Sequence, residues 1–145
     1  MNGVINGNQF SCELSYNSKT KIAITNGTLI KSCLKNEEKN LIYIWSPNCT
    51  SDACISLDLL QNYCNKQNYN LYVVAEYYDR AKMDMVYTLK NPVIGIDVRF
   101  YKSNFTSIYL NKFLTDLGYQ KGAQLTPRYL YFDYDKLVYQ ADTLL

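Results

Sequence analysis

Histidine is absent from the chain, and its absence excludes several kinds of enzyme. Without an imidazole there can be no Cys–His dyad, no histidine general base and no histidine metal ligand. Papain-type proteases and histidine-based zinc hydrolases are therefore ruled out. A zinc site of four cysteines would need a second pair spaced like Cys49 and Cys54, and the sequence has none. We expect neither a metal nor a cofactor.

Charge is also scarce, since charged residues make up 19% of the chain, its net charge is +2 and no basic run occurs. This composition gives no reason to expect a nucleic acid or an anionic membrane as a partner. The first residues lack the basic and apolar regions of a signal peptide, and we expect no membrane span. The sequence leaves two compartments open, and a bacterial cell envelope, with the export signal trimmed, is slightly favoured over the cytoplasm. It leaves the oligomeric state open as well.

The 145 residues, 48% of them apolar, predict one domain with a sizeable core. Residues 1–20 are polar and predict an irregular extension with a short strand at 9–14. Five cysteines are an odd number, so at least one is free or pairs between chains. Cys33 fits a small buried residue of a helix better than a disulfide with Cys12.

The stretch from Leu41 to Cys54 is the most informative part of the sequence. Leu41–Trp45 predicts a buried strand, which Ser46, Pro47 and Asn48 break, and a helix is predicted over 50–66. Cys49 would then lie at a helix N-terminus, where the helix dipole favours a nucleophilic thiolate.

A second cysteine, Cys54, follows five residues after Cys49. In a regular helix their α-carbons would be about 8 to 9 Å apart, beyond the roughly 7 Å that a disulfide spans. A Cys49–Cys54 disulfide therefore requires the first helical turn to be irregular or to unwind. In the reduced protein we expect a regular helix start, with the two sulfurs too far apart to bond. Cys64, about 15 Å beyond Cys54 on an ideal helix, predicts a structural residue.

The remaining pattern predicts an α/β fold with a mixed central sheet and helices on both faces. Strands are predicted at 22–25, 41–46, 71–75, 93–96, 129–132 and 137–140, and further helices at 28–35, 79–89 and 103–117. The 41–46 and 71–75 strands should be parallel neighbours, because a helix joins them. The last two strands should form a hairpin.

Trp45-Ser-Pro-Asn-Cys49 after an apolar strand resembles the thioredoxin-like family, in particular its TlpA-type thiol–disulfide oxidoreductases. Thr126-Pro127-Arg-Tyr-Leu-Tyr-Phe-Asp133 looks like the family's cis-proline strand, and the likeness covers about residues 22–140. The resemblance implies a thioredoxin-like fold whose closing helix is short or absent here, and a cis bond before Pro127 near Cys49. It implies protein thiols or disulfides as partners, Cys49 as attacking thiol and Cys54 as resolving thiol. Trp45, Pro47, Thr126 and Pro127 would then contact the substrate.

The stretch Ser46-Pro-Asn-Cys49-Thr-Ser-Asp-Ala-Cys54 is also similar to the stretch that carries the two cysteines of bacterioferritin-comigratory (Q-type) peroxiredoxins. That resemblance implies peroxide as the substrate. The chain departs from that family at Ile42, where a proline is expected, and at Pro127, where an arginine is expected and Arg128 is one position off. A redox-inactive thioredoxin-fold binding module is the third possibility left open.

Overall fold

A computed structural model of the protein describes residues 4–5, 10–12, 22–49, 54–83, 87–120 and 126–144. Seven strands form one sheet in the order β1-β2-β5-β4-β3-β6-β7. The strands are β1 Val4–Ile5, β2 Ile22–Thr25, β3 Lys39–Trp45, β4 Asn70–Ala75, β5 Val93–Ile96, β6 Tyr129–Asp133 and β7 Lys136–Ala141. The helices are α1 Gly27–Leu34, α2 Leu57–Gln67, α3 Arg80–Met83, α4 Val98–Tyr101 and α5 Thr106–Asp116.

The centre of the sheet agrees with the sequence pattern. Strand β3 pairs in parallel with β4, in the register that sets Leu41 beside Leu71. On its other side β3 pairs antiparallel with β6, and β6 forms a hairpin with β7. The predicted βαβ unit, the terminal hairpin and the mixed α/β sheet are therefore confirmed.

Alternate residues of β3 enter two separate cores, as the two faces of a buried strand require. Ile42 and Ile44 lie in a core that α1 and α5 cover, and the intervening apolar residues lie in a second core that α2 covers. A close approach of α1 to α5 depends on Gly27, because a Cβ there would lie 2.5 Å from the Phe113 carbonyl oxygen. Helices on both faces of the sheet are thus confirmed.

Three buried or half-buried asparagines are hydrogen-bonded in a row at the amino ends of the parallel strands. Asn91 Nδ2 donates to Asn70 Oδ1 at 2.9 Å, and Asn70 Nδ2 donates to Asn40 Oδ1 at 3.0 Å. Asn40 Nδ2 also donates to the carbonyl oxygens of Leu34 and Tyr134. The row satisfies the buried amide groups of Asn40 and the Asn91 Nδ2, whereas Asn91 Oδ1 is buried without a hydrogen-bond partner among the described residues. It links three strands with the hairpin turn.

Several helix boundaries differ from the sequence-based prediction. Helix α1 begins at Gly27, not Thr28, because the Asn26 side chain caps it by accepting the Leu29 N–H. The helix predicted over 79–89 is the single turn of α3, and residues 87–89 are not helical, while 84–86 lie outside the described residues.

The helix predicted over 103–117 is α5, which Gly118 follows with a φ of 99°. Its first residue is Thr106, so residues 103–105 precede the helix. Tyr109, Phe113 and Leu114 face the core, whereas Phe105 and Ile108 are exposed.

The N-terminal region joins the sheet in a way that the sequence did not indicate. Strand β1 pairs in parallel with β2 at one edge of the sheet. The sequence predicts a strand at 9–14. Residues 10–12 do not belong to a strand, and the other residues of that range lie outside the described part of the chain. Cys12 is bonded to Cys33 of α1, with a Cα–Cα distance of 5.3 Å. The prediction of an unbridged Cys33 is therefore wrong. The two cysteines are 21 residues apart in sequence, and no local pattern indicates a contact between them.

Candidate redox site

The candidate site begins where β3 ends. Residues 46–49 leave the sheet in a tight turn, in which the Cys49 N–H donates to the Ser46 carbonyl oxygen at 3.1 Å. Pro47 is buried inside this turn, and Cys49 lies at its exposed end. The short, proline-containing turn therefore presents Cys49 to solvent directly after a buried central strand, as predicted.

Helix α2 does not begin beside Cys49. Its first residue is Leu57, Ser56 is its N-cap, and residues 54–56 are not helical. Residues 50–53 lie outside the described part of the chain. The prediction of a helix from residue 50 is wrong for 54–56, an irregular segment in which Ile55 packs against the core. The prediction that Cys49 lies at the N-terminus of this helix is therefore wrong, since α2 begins eight residues after Cys49.

Cys49 and Cys54 form a disulfide, with their α-carbons 6.1 Å apart. This distance lies within the range that disulfides span. The five-residue spacing requires an irregular segment for this bond, and residues 54–56 are indeed not helical, since α2 starts three residues after Cys54. The predicted separation of the two sulfurs concerns the reduced protein and stays a prediction, because this form is oxidised.

Tyr77 holds the turn that carries Cys49. Its hydroxyl oxygen accepts the Asn48 N–H at 3.0 Å and lies 3.4 Å from Ser46 Oγ. Tyr77 follows β4, the parallel neighbour of β3, so the carboxyl ends of both strands meet at this edge of the sheet. The sequence pattern around Cys49 does not point to Tyr77. The signal available was a polar run after a buried parallel strand, at the edge where α/β sheets usually carry their sites.

Trp45 is buried at the end of β3, and its ring packs edge-on against Tyr87 at a centroid distance of 5.7 Å. Tyr87 donates a hydrogen bond to the Lys82 carbonyl oxygen. Trp45 is thus part of the support beneath the turn, and little of its surface is available to a substrate.

Pro127 is buried at the same edge of the sheet. The register that pairs Tyr43 with Tyr129 brings Pro127 level with Trp45, and the Ile44 N–H donates to the Arg128 carbonyl oxygen at 2.8 Å. Among the described residues no peptide bond is cis, so the predicted cis bond before Pro127 is wrong. Residues 127 and 128 lead directly into β6, whose first residue is Tyr129.

Thr126, the residue before Pro127, is exposed. The likeness to the thioredoxin-like family loses one of its two motifs, the cis proline, and stays a prediction.

Arg128 pairs with Glu76 rather than with a cysteine. Its Nη1 lies 3.0 Å from Glu76 Oε2 and donates to the Ile44 carbonyl oxygen at 3.3 Å. Ile44 belongs to the core under α1 and α5, whereas Leu57, which follows Cys54 closely, belongs to the core under α2. The ion pair therefore lies on the opposite face of the sheet from the start of α2.

Cys64 lies inside α2, fully buried and unpaired. Burial raises the pKa of its thiol to about 12. The prediction that Cys64 is structural agrees with this environment, because a neutral buried thiol is a poor nucleophile.

No protein-family model, curated protein or solved structure matches the chain. None of the helices in the described residues is long and apolar enough to cross a membrane. In the same part of the chain, no group of three or more acidic or cysteine side chains is placed to hold a metal ion.

Proposed function

We propose that the protein is a thiol–disulfide oxidoreductase that acts through Cys49, with Cys54 as the resolving thiol. The observation that carries the proposal is the Cys49–Cys54 disulfide at the exposed end of the central strand. A disulfide between cysteines five apart, with one of them exposed, is accessible to exchange with another thiol. The parallel β3–β4 pair and the antiparallel hairpin beside it are compatible with a thioredoxin-like fold.

The reaction begins from the reduced protein. The Cys49 thiolate attacks one sulfur of a substrate disulfide, and the other substrate sulfur leaves as a thiolate that takes up a proton. The Cys54 thiolate then attacks Cys49, which releases the second substrate thiolate and forms the Cys49–Cys54 disulfide. Two electrons pass to the substrate, and an external dithiol returns them to the protein.

Two features favour disulfide exchange over peroxide reduction. Helix α2 begins beyond both cysteines, so the oxidised and reduced forms can keep the same helix, as a dithiol shuttle requires. The arginine that a peroxidase would need beside the attacking thiol has no counterpart at Arg128, whose guanidinium is paired with Glu76. Peroxide reduction remains the alternative to be tested, and a redox-inactive binding module is the other.

The test compares insulin reduction, with dithiothreitol as the electron source, against consumption of hydrogen peroxide. We expect wild-type protein to accelerate insulin reduction and Cys49→Ser to lose the acceleration. The matched control is the double variant Cys12→Ser/Cys33→Ser, which removes the other disulfide and should retain activity at a temperature where it stays folded.

Faster turnover of peroxide than of insulin, lost in Cys49→Ser, would replace this proposal with the peroxidase. Activity towards neither substrate would leave the binding module. Equal loss in Cys49→Ser and in the folded control variant would show that the assay reports stability and would also contradict the proposal.

A further inference from the structure

A surface formed by α4 and the beginning of α5 exposes large apolar side chains. Phe100, Phe105 and Ile108 are 52%, 72% and 44% exposed, and we call the region from α4 to the first turns of α5 the α4–α5 surface. It contains an open groove of about 490 Å³, lined by Val98, Arg99, Lys102, Ser103, Asn104 and Phe105. Phe105 lines this groove, and Phe100 and Ile108 are within five residues of it in the chain. Exposed apolar side chains beside a groove are typical of an interaction site.

Phe105 occupies a position where a different residue would stabilise the fold. It is the N-cap of α5, and it supplies no side-chain hydrogen bond to the helix. Serine, threonine, aspartate and asparagine are the preferred N-caps, and phenylalanine is not among them. The chain therefore carries an exposed aromatic ring where a polar cap would serve the helix better, which points to a role for the ring outside the fold.

The charged groups around the groove are unequally available. Arg99 and Lys102 line the groove and are exposed. The carboxylate nearest to them in the chain is engaged within the fold, because Asp97 accepts hydrogen bonds from the Arg99 and Phe100 N–H groups. The α4–α5 surface thus offers apolar rings and positive charge together, which complements an acidic and apolar partner.

Two hydrogen bonds connect this surface to the candidate redox site. Tyr109 of α5 donates to the Glu76 carbonyl oxygen at 2.5 Å, and the Glu76 N–H donates to the Trp45 carbonyl oxygen at 2.9 Å. Trp45 is the last residue of β3, before the turn that carries Cys49. Strand β5, which leads into α4, is two strand spacings from β3, or about 10 Å. The strand that leads into the α4–α5 surface therefore lies about 10 Å from the strand that leads into the Cys49 turn.

We propose that the α4–α5 surface docks the protein substrate, through a segment in which acidic and apolar side chains flank the target disulfide. This inference rests on the proposed function, which supplies the disulfide exchange. The α4–α5 surface supplies the selectivity for the protein substrate. Phe105 and Ile108 contact apolar side chains of the segment, and Arg99 and Lys102 contact its carboxylates. The groove is large enough for a few side chains rather than for a folded domain.

The first experiment measures binding without any redox step. A fluorescent, cysteine-free peptide with glutamates around phenylalanine and leucine is titrated with the oxidised protein, and an otherwise identical peptide with lysines serves as comparison. We expect the acidic peptide to bind at least about tenfold more tightly, and Phe105→Ser to weaken it about tenfold. Phe105→Ser should keep or raise the melting temperature, since serine can cap α5. Leu59→Ser is the matched control, because Leu59 is 62% exposed on α2, and it should leave binding unchanged.

The second experiment measures exchange. With the acidic peptide closed by a disulfide as substrate, Phe105→Ser and Arg99→Glu/Lys102→Glu should each lower kcat/KM about tenfold. Their rates with glutathione disulfide, which is too small to need the docking surface, should equal that of wild type. Lys66→Glu on α2 is the control for charge reversal.

The outcomes separate the two claims. No binding of the acidic peptide, equal binding of the lysine peptide, or equal loss in Leu59→Ser would overturn the docking surface. Concentration-dependent dimerisation lost in Phe105→Ser, or tighter binding to anionic vesicles than to the peptide, would also overturn it, by assigning the surface to a second copy or to a membrane. Selective peptide binding without any exchange on glutathione disulfide would overturn the proposed function and leave an acidic-peptide docking module.

Discussion

Among the single residues, Cys49 and Cys64 are in opposite environments although they belong to the same segment of the chain. Cys49 is exposed at the end of a turn, and Cys64 is fully buried with its thiol pKa raised to about 12 by burial. After reduction of the protein, we expect iodoacetamide to label Cys49 at least about a hundredfold faster than Cys64 at neutral pH. Competitive alkylation with mass-spectrometric readout of each cysteine measures this ratio. Comparable rates for the two thiols would show that Cys49 has no special reactivity.

Tyr77 is the residue whose hydroxyl links the turn of Cys49 to the neighbouring strand. Tyr77→Phe removes the acceptor for the Asn48 N–H and keeps the ring. We expect it to reduce the free energy of unfolding by about 1 kcal/mol and to change the reduction potential of the Cys49–Cys54 pair. Redox titration against glutathione measures the potential, and Tyr139→Phe, at an exposed position, is the control. An unchanged potential in Tyr77→Phe would mean that the hydroxyl serves stability alone.

Between elements, Asp58 links the first turn of α2 to the segment after α3. Its carboxylate accepts hydrogen bonds from the Thr88 backbone N–H at 2.7 Å and from the Thr88 hydroxyl at 2.8 Å. These bonds lower the pKa of Asp58 below its ordinary value, and the backbone hydrogen bond has the larger effect. Because the pKa is lower in the folded protein, the stabilisation is present above about pH 3.9, and it is lost as the pH falls through the folded value.

We therefore expect wild-type protein to lose more stability than Asp58→Asn when the pH falls below the pKa of a free aspartate side chain. Urea unfolding across acidic pH measures the difference. Thr88→Val keeps the backbone donor and removes the hydroxyl, so its acid sensitivity should fall between the two. Parallel pH profiles of wild type and Asp58→Asn would contradict the linkage.

Strands were easier to predict from the sequence than helix starts and disulfides, for physical reasons. The runs around Leu41 and Leu71 are apolar on both faces, a pattern that a central strand of a parallel sheet dictates locally. Where α2 begins depends on how Ile55 and Leu57 pack in the core, and the local capping signals at residues 50–52 pointed elsewhere. The Cys12–Cys33 bond joins an N-terminal segment to a helix, and no local pattern encodes that contact. The candidate site was found through Cys49, but Tyr77 comes from a different strand and was missed.

For the whole molecule, buried phenols set the response to alkaline pH. Burial is the main cause that raises the pKa of seven tyrosines: Tyr43, Tyr63, Tyr78, Tyr87, Tyr101, Tyr109 and Tyr129. For Tyr78 and Tyr129 the raised pKa is about 12. A phenol whose pKa is higher in the folded protein stabilises the fold fully below about pH 10 and loses this effect as the pH rises towards the folded value.

The free energy of unfolding should therefore change little between about pH 5 and 8, where no histidine titrates, and should fall steeply above about pH 10. Urea unfolding at increasing pH measures the fall, and tyrosinate absorbance shows when the phenols ionise. Tyr129→Phe should make the fall shallower. A variant with the same alkaline slope as wild type would show that ionisation of Tyr129 is not linked to unfolding.

The row of Asn40, Asn70 and Asn91 makes the opening of the sheet directly observable. The side-chain amide hydrogens of Asn91 are shielded from solvent and bonded to Asn70 Oδ1 and to the Leu71 carbonyl oxygen of β4, so they can exchange with deuterium only when this contact opens. In deuterated water their signals should persist as long as the most protected backbone amides of β3 and β4. These hydrogens therefore time the separation of β4 from the chain that enters β5, at the strand ends far from Cys49.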